Sequence, residues 1–359
     1  MKLCLLIILS SLLLFFSDDA ECQDFSNKGK DFWVIYMGHV DGTVSRMALY
    51  ITSDQNATGK VDVNGSSIPF TVTANNVTTI QFTNSSNPSN AVVYNGQIEG
   101  VGAKRGIHVT SDKPVVVYSH ILNSARSGST LVLPTNVLGK EYYASSYNPI
   151  SATNADRSEF AVVATVDNTS VEITPTAADA NGTHSANVAY QVNLNKGDVY
   201  QYQSNGDLTG SHIKSIGSTT ASCQPIAVFS GSTRTSLGCS NPTSGDNLYQ
   251  QLFPFASWGR LFYTAPFINR AYDVFRIIVQ DASTVVTVNG VALNSSSLVN
   301  GRFYEFNTQG NNTARIISSD KPICVFQYLI SQNCDNVPGG SDPEMIILNA
   351  VDQTLNDIT

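Results

Sequence analysis

A short proline-led stretch recurs three times along this chain, and this recurrence restricts the fold more than any other feature. The three copies read SDKPVVVYSH at 111–120, SCQPIAVFSG at 222–231 and SDKPICVFQY at 319–328. In each copy a proline, Pro114, Pro225 or Pro322, precedes a short apolar run with an aromatic residue four positions later. Proline cannot donate to a β-ladder, and it pushes the preceding residue toward extended geometry. The stretch therefore predicts a strand that starts at the proline and closes one repeating unit against the next.

Three further features recur in the same order around this stretch. They are a Gly-Lys or Gly-Arg pair before aromatic residues, two strand-like runs around a polar turn, and an alternating aromatic segment. The glycine pairs stand in GKDFWV (29–34), GKEYYA (139–144) and GRLFYT (259–264). Four features in one order, three times over, indicate a repeat architecture. We predict modules at 24–125, 126–235 and 236–334, with 335–359 starting a further module or capping the third.

The repeated segments have the composition of β-strands. Runs such as FRIIVQ (275–280) are short and rich in β-branched residues, and long helical periodicity is absent after the N-terminal apolar run. VDVNGSSIPF (61–70) and TVVTVNGVAL (284–293) place Asn-Gly between apolar runs, which predicts tight β-hairpins. We expect an all-β chain of three tandem antiparallel β-sandwich-like modules packed together.

The N-terminal segment predicts secretion. Lys2 precedes an apolar run from Leu3 to Phe16 and then a polar stretch, a pattern typical of a signal peptide and short for a membrane span. Cleavage after Ala20 or after Cys22 fits this pattern, so we assign 1–22 to the signal peptide. An uncleaved signal anchor is the alternative. We expect a secreted, extracellular protein with no membrane span in its mature part.

The charge of the chain excludes one class of partner. The net charge is −8, and 13% of the residues are charged, with no cluster of Lys and Arg. Proteins that bind nucleic acids usually carry a basic patch or stripe. We therefore exclude nucleic acid as a partner.

Four cysteines remain beyond the signal region: Cys223, Cys239, Cys324 and Cys334. Four cysteines allow three pairings, and a secreted chain favours disulfides. The local pairing would join Cys223 to Cys239 and Cys324 to Cys334. Metal ligation is the alternative, but no CxxC pattern or clustered histidine accompanies these residues.

Eight Asn-x-Ser/Thr sequons are candidate glycosylation sites. Their asparagines are Asn56, Asn64, Asn76, Asn84, Asn168, Asn181, Asn294 and Asn311. The chain is rich in Asn, Ser and Thr, so these sequons fit secretion without establishing it.

No pattern of catalytic chemistry stands out. The chain has no G-x-S-x-G, H-E-x-x-H or phosphate-loop motif, and no two histidines stand four residues apart. We predict no catalytic residue, no metal ligand and no cofactor, and thus a protein that is not an enzyme. Two alternatives stay open. One is a calcium site at turn aspartates such as Asp281 and Asp320, and the other is a hydrolase, which a cleft joining two carboxylates would favour.

One loop is distinctive enough to be a candidate interaction loop. SGSTRTSLGCSNPTSGDNLYQQ (230–251) holds Arg234, Asp246 and Tyr249 among small residues, and it would join the second and third modules. One interpretation is a ligand-facing loop on a rigid scaffold. The other is a connection between modules that a disulfide at Cys239 braces.

These scaffold residues resemble the N-terminal domain of the mucus IgG Fc-binding protein family. The matching segments are KPVVVYSH, STLVLPTNVLGKEYY, QPIAVFSGSTRT, FRIIVQDASTVVTVNG, SDKPICVFQY and DPEMIILNAVDQTLN, within 24–359. The resemblance implies a non-enzymatic extracellular module of mucus or adhesive proteins, and the family name refers to antibody Fc binding. It carries no role for an individual residue.

Together these patterns favour a secreted module that binds extracellular glycoproteins or other proteins, antibody-like or mucin-like, in adhesion or mucosal defence. Repeated modules can combine weak contacts into a higher avidity. A purely structural spacer in mucus or matrix is the alternative, and a secreted hydrolase is a remote one.

Overall fold

The computed structural model describes residues 27–42, 46–82, 99–123, 125–151, 155–216, 224–240, 242–309, 313–335 and 340–353. The predicted signal peptide lies outside these residues. The described residues form twenty-four strands and a few 3-10 turns, with no α-helix among them. The chain is all-β, as its sequence predicts.

The strands fall into three successive units of eight. The first unit contains β1 (Gly29–Val34), β2 (Arg46–Thr52), β3 (Ala57–Val63), β4 (Ser66–Val72), β5 (Val77–Phe82), β6 (Glu99–Gly102), β7 (Ile107–Asn123) and β8 (Arg126–Val132). The second contains β9 (Glu141–Tyr143), β10 (Ser158–Ala164), β11 (Thr169–Thr174), β12 (Tyr190–Leu194), β13 (Val199–Ser204), β14 (His212–Ser215), β15 (Ile226–Thr235) and β16 (Asp246–Gln251). The third contains β17 (Gly259–Thr264), β18 (Val274–Val279), β19 (Val286–Val288), β20 (Val291–Ala292), β21 (Leu298–Val299), β22 (Phe303–Asn307), β23 (Arg315–Leu329) and β24 (Glu344–Ile347). The 3-10 turns lie at Thr135–Val137, Phe255–Ser257, Ser295–Ser297 and Val351–Gln353.

Two antiparallel sheets share one long strand in the first unit. The first half of β7 pairs with β1 and β3, and β4 extends this sheet beyond β3. The second half of β7 pairs with β2 and β8, and β5 extends that sheet beyond β2. Apolar side chains of both sheets, such as Leu49, Val61 and Val117, lie in one core and are fully buried.

The same pairings recur in the other two units. In the second unit β14 pairs with β9 and β11, and β15 pairs with β10 and β16. In the third unit β23 pairs with β17 and β19 through its first half, and with β18 and β24 through its second half. The repeat seen in the sequence is thus a repeat of strand order. The module boundaries stay predictions, and β8, at the start of predicted module 126–235, pairs with β7 of the first unit.

Both Asn-Gly pairs that predicted hairpins lie at the turn of one. β3 pairs with β4 around Asn64 and Gly65, and β19 pairs with β20 around Asn289 and Gly290. The φ angles are 46° and 80° in the first turn and 50° and 80° in the second. Two successive residues with positive φ are what a type I′ hairpin turn requires.

The prediction that the proline starts a strand is wrong for two of the three copies. Pro114 lies inside β7 and Pro322 inside β23, where each strand passes from one sheet to the other. Pro225, by contrast, immediately precedes β15. A strand that changes sheets has a position without a ladder partner, so a residue that lacks an N–H is tolerated there.

An aspartate two residues before the proline fixes each of these crossings through a hydrogen bond to a neighbouring strand or loop. Asp112 Oδ1 accepts the Thr58 N–H at 2.7 Å, and Asp320 Oδ1 accepts the Val285 N–H at 2.8 Å. Asp320 therefore lies in a strand and not in the predicted turn, whereas Asp281 does lie in the bend after β18.

The units interlock through strands and cores. β6 leaves the first unit after β5 and pairs with β13 as the fifth strand of a second-unit sheet. One core joins first-unit residues to Ala161, Val199 and Phe229 of the second unit. Another joins second-unit residues to Ile278 and Phe326 of the third. The prediction of modules packed together is confirmed.

The glycine that opens each unit packs against the segment that follows the last strand of that unit. A Cβ on Gly29, Gly139 or Gly259 would lie 2.3, 2.5 or 2.1 Å from the Cβ of Pro134, Pro254 or Ala350, respectively. This close approach requires glycine, because any side chain would overlap the neighbour. The segment after β24 thus occupies the same place as the two connections between units.

Candidate functional site

The candidate interaction loop is braced, because its two ends are strands. Its first part belongs to β15 and its last part to β16. Arg234 forms a two-pronged ion pair with Asp156, with Nε–Oδ1 at 2.8 Å and Nη2–Oδ2 at 2.9 Å. The Asp156 side chain is fully buried. Arg234 therefore neutralises a buried carboxylate and fixes the end of β15.

Tyr249 lies between the first and second units and is 2% exposed. Its hydroxyl donates to the Ile35 carbonyl at 2.7 Å and lies 2.8 Å from Ser119 Oγ. Its ring stacks with Tyr36 and Phe229, at centroid distances of 6.1 and 5.7 Å. Burial raises the pKa of the phenol well above its ordinary value. Tyr249 packs the joint between two units and does not face a surface ligand.

Asp246, the third predicted loop residue, lines a cleft that is open to solvent. The cleft measures about 640 Å³. Residues 267–270 and 340–344 of the third unit form one wall, and Ala125, Ser127 and Asp246 form the other. Because these residues come from all three units, the cleft lies where the units meet.

Three carboxyl groups and one arginine, Arg270, line this cleft. The carboxyl groups are those of Asp246, Asp342 and Glu344. Burial raises the pKa of Asp246 to about 7, and the charge of Asp342 acts in the same direction. Burial also raises the pKa of Glu344 to about 8, with a further contribution from Asp246. A positive charge in the cleft would favour the ionised form of both groups.

Backbone N–H groups hold the carboxyls of Asp246 and Glu344 in place. Asp246 Oδ1 accepts from Ser127 at 2.9 Å and from Asn247 at 2.8 Å. Glu344 Oε1 accepts from Met345 at 2.9 Å. These donors belong to β8, β16 and β24, so both carboxyls are fixed by strands.

The third-unit wall combines a braced arginine with an exposed apolar residue. Arg270 Nη1 donates to Ser341 Oγ at 2.9 Å and lies 3.4 Å from Asp335 Oδ1. The side chain of Arg270 is 6% exposed. Ile268, at the rim, is 87% exposed. Acidic and apolar groups are thus both available to a partner at this cleft.

The disulfide pairing differs from the local pairing that we predicted. Cys239 is bonded to Cys334 across 95 residues of sequence. Cys324 is a free thiol in β23, 4% exposed and paired in the ladder with Ile278. Cys324 faces the core while Cys334 lies beyond the strand end, so the local bond does not form. Cys223 lies outside the described residues.

Six of the sequon asparagines lie in the described residues, and all six are exposed: Asn56, Asn64, Asn76, Asn168, Asn181 and Asn294. Asn84 and Asn311 lie outside the described residues. The six side chains are accessible to a glycosylating enzyme, and occupancy stays a prediction.

Four histidines lie within ion-pair distance of acids. They are His39 with Asp41 (3.7 Å), His108 with Asp31 (2.7 Å), His184 with Glu99 (3.3 Å) and His212 with Glu141 (2.8 Å). Within the described ranges, no group of three or more His, Cys, Asp or Glu residues is arranged to hold a metal ion. In the same part of the chain, no helix is long and apolar enough to span a membrane.

Another buried carboxyl with a raised pKa, Glu159, lies on β10 beside the first unit. It is 1% exposed, and Gln203 Nε2 donates to its Oε2 at 2.7 Å. Burial raises its pKa to about 8. The folded protein therefore keeps this carboxyl protonated between about pH 4.5 and 8, where the unfolded chain ionises it. This group makes folding less favourable as the pH rises through that window.

We predict that Glu159→Gln raises the free energy of unfolding by roughly 1–3 kcal/mol at pH 8.5 and changes it little at pH 5. Urea unfolding at both pH values measures the difference. Glu172→Gln on β11, a partly exposed acid, serves as the control and should show no such pH dependence. An equal effect of Glu159→Gln at the two pH values would contradict the prediction.

The architecture defines a class of protein: antiparallel β units with the same strand pairings, stacked through common cores. A family profile described as IgGFc binding protein matches residues 128–359. The chain belongs to this IgGFc-binding family, which supports a binding-domain kind of function and protein partners.

Comparisons with individual proteins add little. No curated protein matches the chain significantly. A solved structure of a 1.5-MDa bacterial ice-binding adhesin is 10% identical over 87% of this chain and 93% of its own, with a TM-score of 0.14. A major pilin from Streptococcus pyogenes is 10% identical over 88% of this chain and 97% of its own, with a TM-score of 0.15. These scores are too low to indicate a shared fold.

Proposed function

We propose that this chain is a secreted, non-enzymatic binding domain that holds a positively charged segment of an extracellular protein or glycoprotein in the cleft where its units meet. The observation that carries the proposal is a pair of carboxyls in the cleft, the buried Asp246 and the partly buried Glu344, with pKa values raised to about 7 and 8. A Lys or Arg side chain in the cleft would favour their ionised forms. Ile268 at the rim supplies an apolar contact beside the charges.

A role in adhesion or mucosal defence is consistent with three further features. The chain belongs to a family of binding domains. Its first residues have the pattern of a secretory signal, and the described sequon asparagines are exposed. Antibody Fc is one candidate partner because the family description names it, and mucin-like glycoproteins are another.

Binding of a basic peptide should become tighter as the pH rises from 6 to 8.5. Ionised carboxylates bind the cation, and the raised pKa values place their ionisation in this range. Carboxyls of ordinary pKa are already ionised at pH 6 and would give a flat profile. We expect roughly a tenfold gain in affinity for an arginine-rich peptide across this range. Titration calorimetry at each pH, at constant ionic strength, measures it.

Asp246→Asn and Glu344→Gln are the informative variants for this experiment. Each keeps an oxygen that can accept the backbone N–H bonds, so the strands stay in place. Each should weaken binding at pH 8.5 and flatten the profile, while Glu172→Gln, outside the cleft, should leave it unchanged. Absence of binding at every pH would favour the alternative, a structural spacer in mucus or matrix.

The same carboxyls favour a second candidate, hydrolysis of a glycosidic bond. Such hydrolysis commonly uses two carboxyl groups, one of them held protonated near neutral pH as the general acid. Release of chromophore from a panel of aryl glycosides tests it. Turnover that disappears in both Asp246→Asn and Glu344→Gln would support this candidate over the binding function, and we expect none.

A further inference from the structure

The first joint between units is built on a stacked pair. Trp33 of β1 stacks on His108 of β7 with ring centroids 4.2 Å apart, and His108 Nε2 lies 2.7 Å from Asp31 Oδ2. Lys196 of the second unit covers this face, with its Nζ 5.8 Å from the centre of the Trp33 ring. Trp33 is 4% exposed.

The second joint uses the equivalent residues. Tyr143 of β9 stacks on His212 of β14 at 4.7 Å, and His212 Nε2 lies 2.8 Å from Glu141 Oε1. Arg302 of the third unit packs on Gly210, where an added Cβ would lie 2.7 Å from the arginine Cβ. The charge of Arg302 acts on Tyr143, which is 7% exposed. An acid, an aromatic residue, a histidine and a covering cation therefore occur at both joints.

The third unit exposes the corresponding positions. Tyr263 of β17 pairs with Ile316 of β23, and this pair is equivalent to the stacked aromatic–histidine pairs of the first two units. Leu261 occupies the position of Asp31 and Glu141. Tyr263, Ile316 and Leu261 are 61%, 46% and 36% exposed. We call these three residues the tail face.

The first unit exposes the complementary face at the other end of the stack. The residues that pack into the preceding unit include Phe229 and Val199 of the second unit and Phe326 and Phe303 of the third. By strand pairing, Tyr118 of the first unit is equivalent to Phe229 and Phe326. In the same way, Val77 is equivalent to Val199 and Phe303. Tyr118 and Val77 are 38% and 61% exposed, and Tyr50, which pairs with Tyr118, is 36% exposed. We call Tyr50, Val77 and Tyr118 the head face.

The turn beside the head face has the backbone shape of the turns at the two joints. Asn75, two residues before Val77, has φ of 60°. Its equivalents, Gly197 and Gly301, have φ of 82° and 68°. The first unit therefore presents the same backbone feature that the second and third units use to cover their neighbours.

Charge is matched at the joints and absent at the two open faces. At the joints, an acid on one unit lies near a cation on the next. On the tail face Leu261 stands in place of the acid. Beside the head face Ala74 and Asn76 stand where the second and third units carry their cations. An uncharged tail thus corresponds to an uncharged head, and their contact would leave no buried charge unpaired.

We propose that the tail face of one copy of this chain binds the head face of a second copy, as successive units bind within the chain. The contact is heterologous, because each copy uses a different face. Such a contact produces short filaments, or rings where the rotation closes.

Sedimentation velocity over roughly 5 to 300 µM protein tests the proposal. All proteins carry Thr78→Val, which removes the glycan acceptor signal at Asn76. This background protein should form larger species as its concentration rises. Tyr263→Glu, which blocks the tail, and Val77→Glu, which blocks the head, should each remain monomeric when alone. Mixing these two variants should give a 1:1 pair and nothing larger, because the intact tail of Val77→Glu binds the intact head of Tyr263→Glu and both outer faces of the pair are blocked.

Val188→Glu is the matched control, since Val188 is an exposed apolar residue, 56% exposed, outside both faces and outside the cleft. It should associate like the background protein. Circular dichroism verifies that the exposed-site variants stay folded. A background protein that is monomeric throughout would leave the tail face to a different occupant and overturn the proposal. Blocked variants that fail to pair on mixing would overturn it as well.

Discussion

Replacing Arg276 by alanine should lower the free energy of unfolding by about 3 kcal/mol, at the lower end of the range for breaking a buried ion pair. Arg276 is 3% exposed. Its Nη1 lies 2.7 Å from Asp207 Oδ2 and donates to the Ser146 carbonyl at 2.7 Å, and its Nε lies 2.7 Å from Glu305 Oε2. Asp207 and Ser146 belong to the second unit. Alanine would leave acceptors of both units without their donor at the second joint.

The lower end of the range applies because both carboxylates are partly exposed, 18% for Asp207 and 35% for Glu305. Water can therefore solvate them in part after the arginine is removed. The packing of the guanidinium over the Tyr147 ring, 3.9 Å from its centre, is lost in addition.

Urea unfolding monitored by tryptophan fluorescence measures this effect. Arg260→Ala, an exposed arginine on β17, is the control and should change stability by less than about 0.5 kcal/mol. Arg276→Met combined with Asp207→Asn keeps the volume and removes one of the two carboxylates that would lose their partner, so it should recover part of the loss. An Arg276→Ala variant as stable as the Arg260→Ala control would show that the pair does not hold the joint.

The repeat of strand order could be predicted because it depends on local chemistry. Asn64-Gly65 and Asn289-Gly290 specify hairpins through backbone conformations that few other residues adopt. Gly139 and Gly259 mark unit starts because the chain passes too close for a side chain. The hairpin constraint acts within a few residues. The glycine constraint comes from Pro254 and Ala350, which are distant in sequence, but it fixes the residue type at a single position, so a pattern in the sequence records both constraints.

The position of the proline within its strand could not be predicted. Proline is tolerated at a strand start and also at a crossing between sheets, because neither position needs an N–H donor. The sequence around Pro114 and Pro322 therefore fits both situations. Only the partners of β7 and β23 distinguish the two situations. Those partners, such as β1 and β17, lie tens of residues away in the sequence.

The joints escaped prediction for a similar reason. Arg276 stands in an apolar run, and its equivalents in the other two units are the uncharged Ala161 and Tyr50. A charged residue at this one copy of the repeat was a usable signal. Its partner Asp207 is distant in sequence, so the pair itself had no spacing signature. Tyr249 looked like a contact residue in a polar loop, but a core shared between two units encloses it.

Of the three carboxyl residues that line the cleft, only Asp246 belongs to the candidate interaction loop of the sequence analysis, and its role in binding stays a prediction. Asp246 was singled out for its place in a distinctive loop, and it does line the cleft. Glu344 and Asp342 were not singled out, because their nearness to Asp246 depends on how the third unit packs against the other two. The DPE sequence at 342–344, which leads into the apolar run of β24, was the available signal.

Removing the Cys239–Cys334 disulfide should cost roughly 4–5 kcal/mol in the chain-entropy description, because the bond closes a long loop. The two cysteines are 95 residues apart. The bond ties the connection between β15 and β16 to the segment after β23, next to Asp335, which holds Arg270 of the cleft wall. Loss of the bond should therefore also loosen the cleft and weaken any ligand bound in it.

Cys239→Ser with Cys334→Ser, compared with the parent by urea unfolding under non-reducing conditions, measures the cost. Cys324→Ala is the matched control, because Cys324 is buried and unbonded, and it should lose only the contacts of one sulfur atom. Non-reducing peptide mapping of the parent should recover a peptide pair that contains Cys239 and Cys334, with Cys324 alkylated only after unfolding. A map that places Cys324 in a disulfide, or a double-serine variant as stable as the parent, would show that this long-range bond does not fasten the second unit to the third.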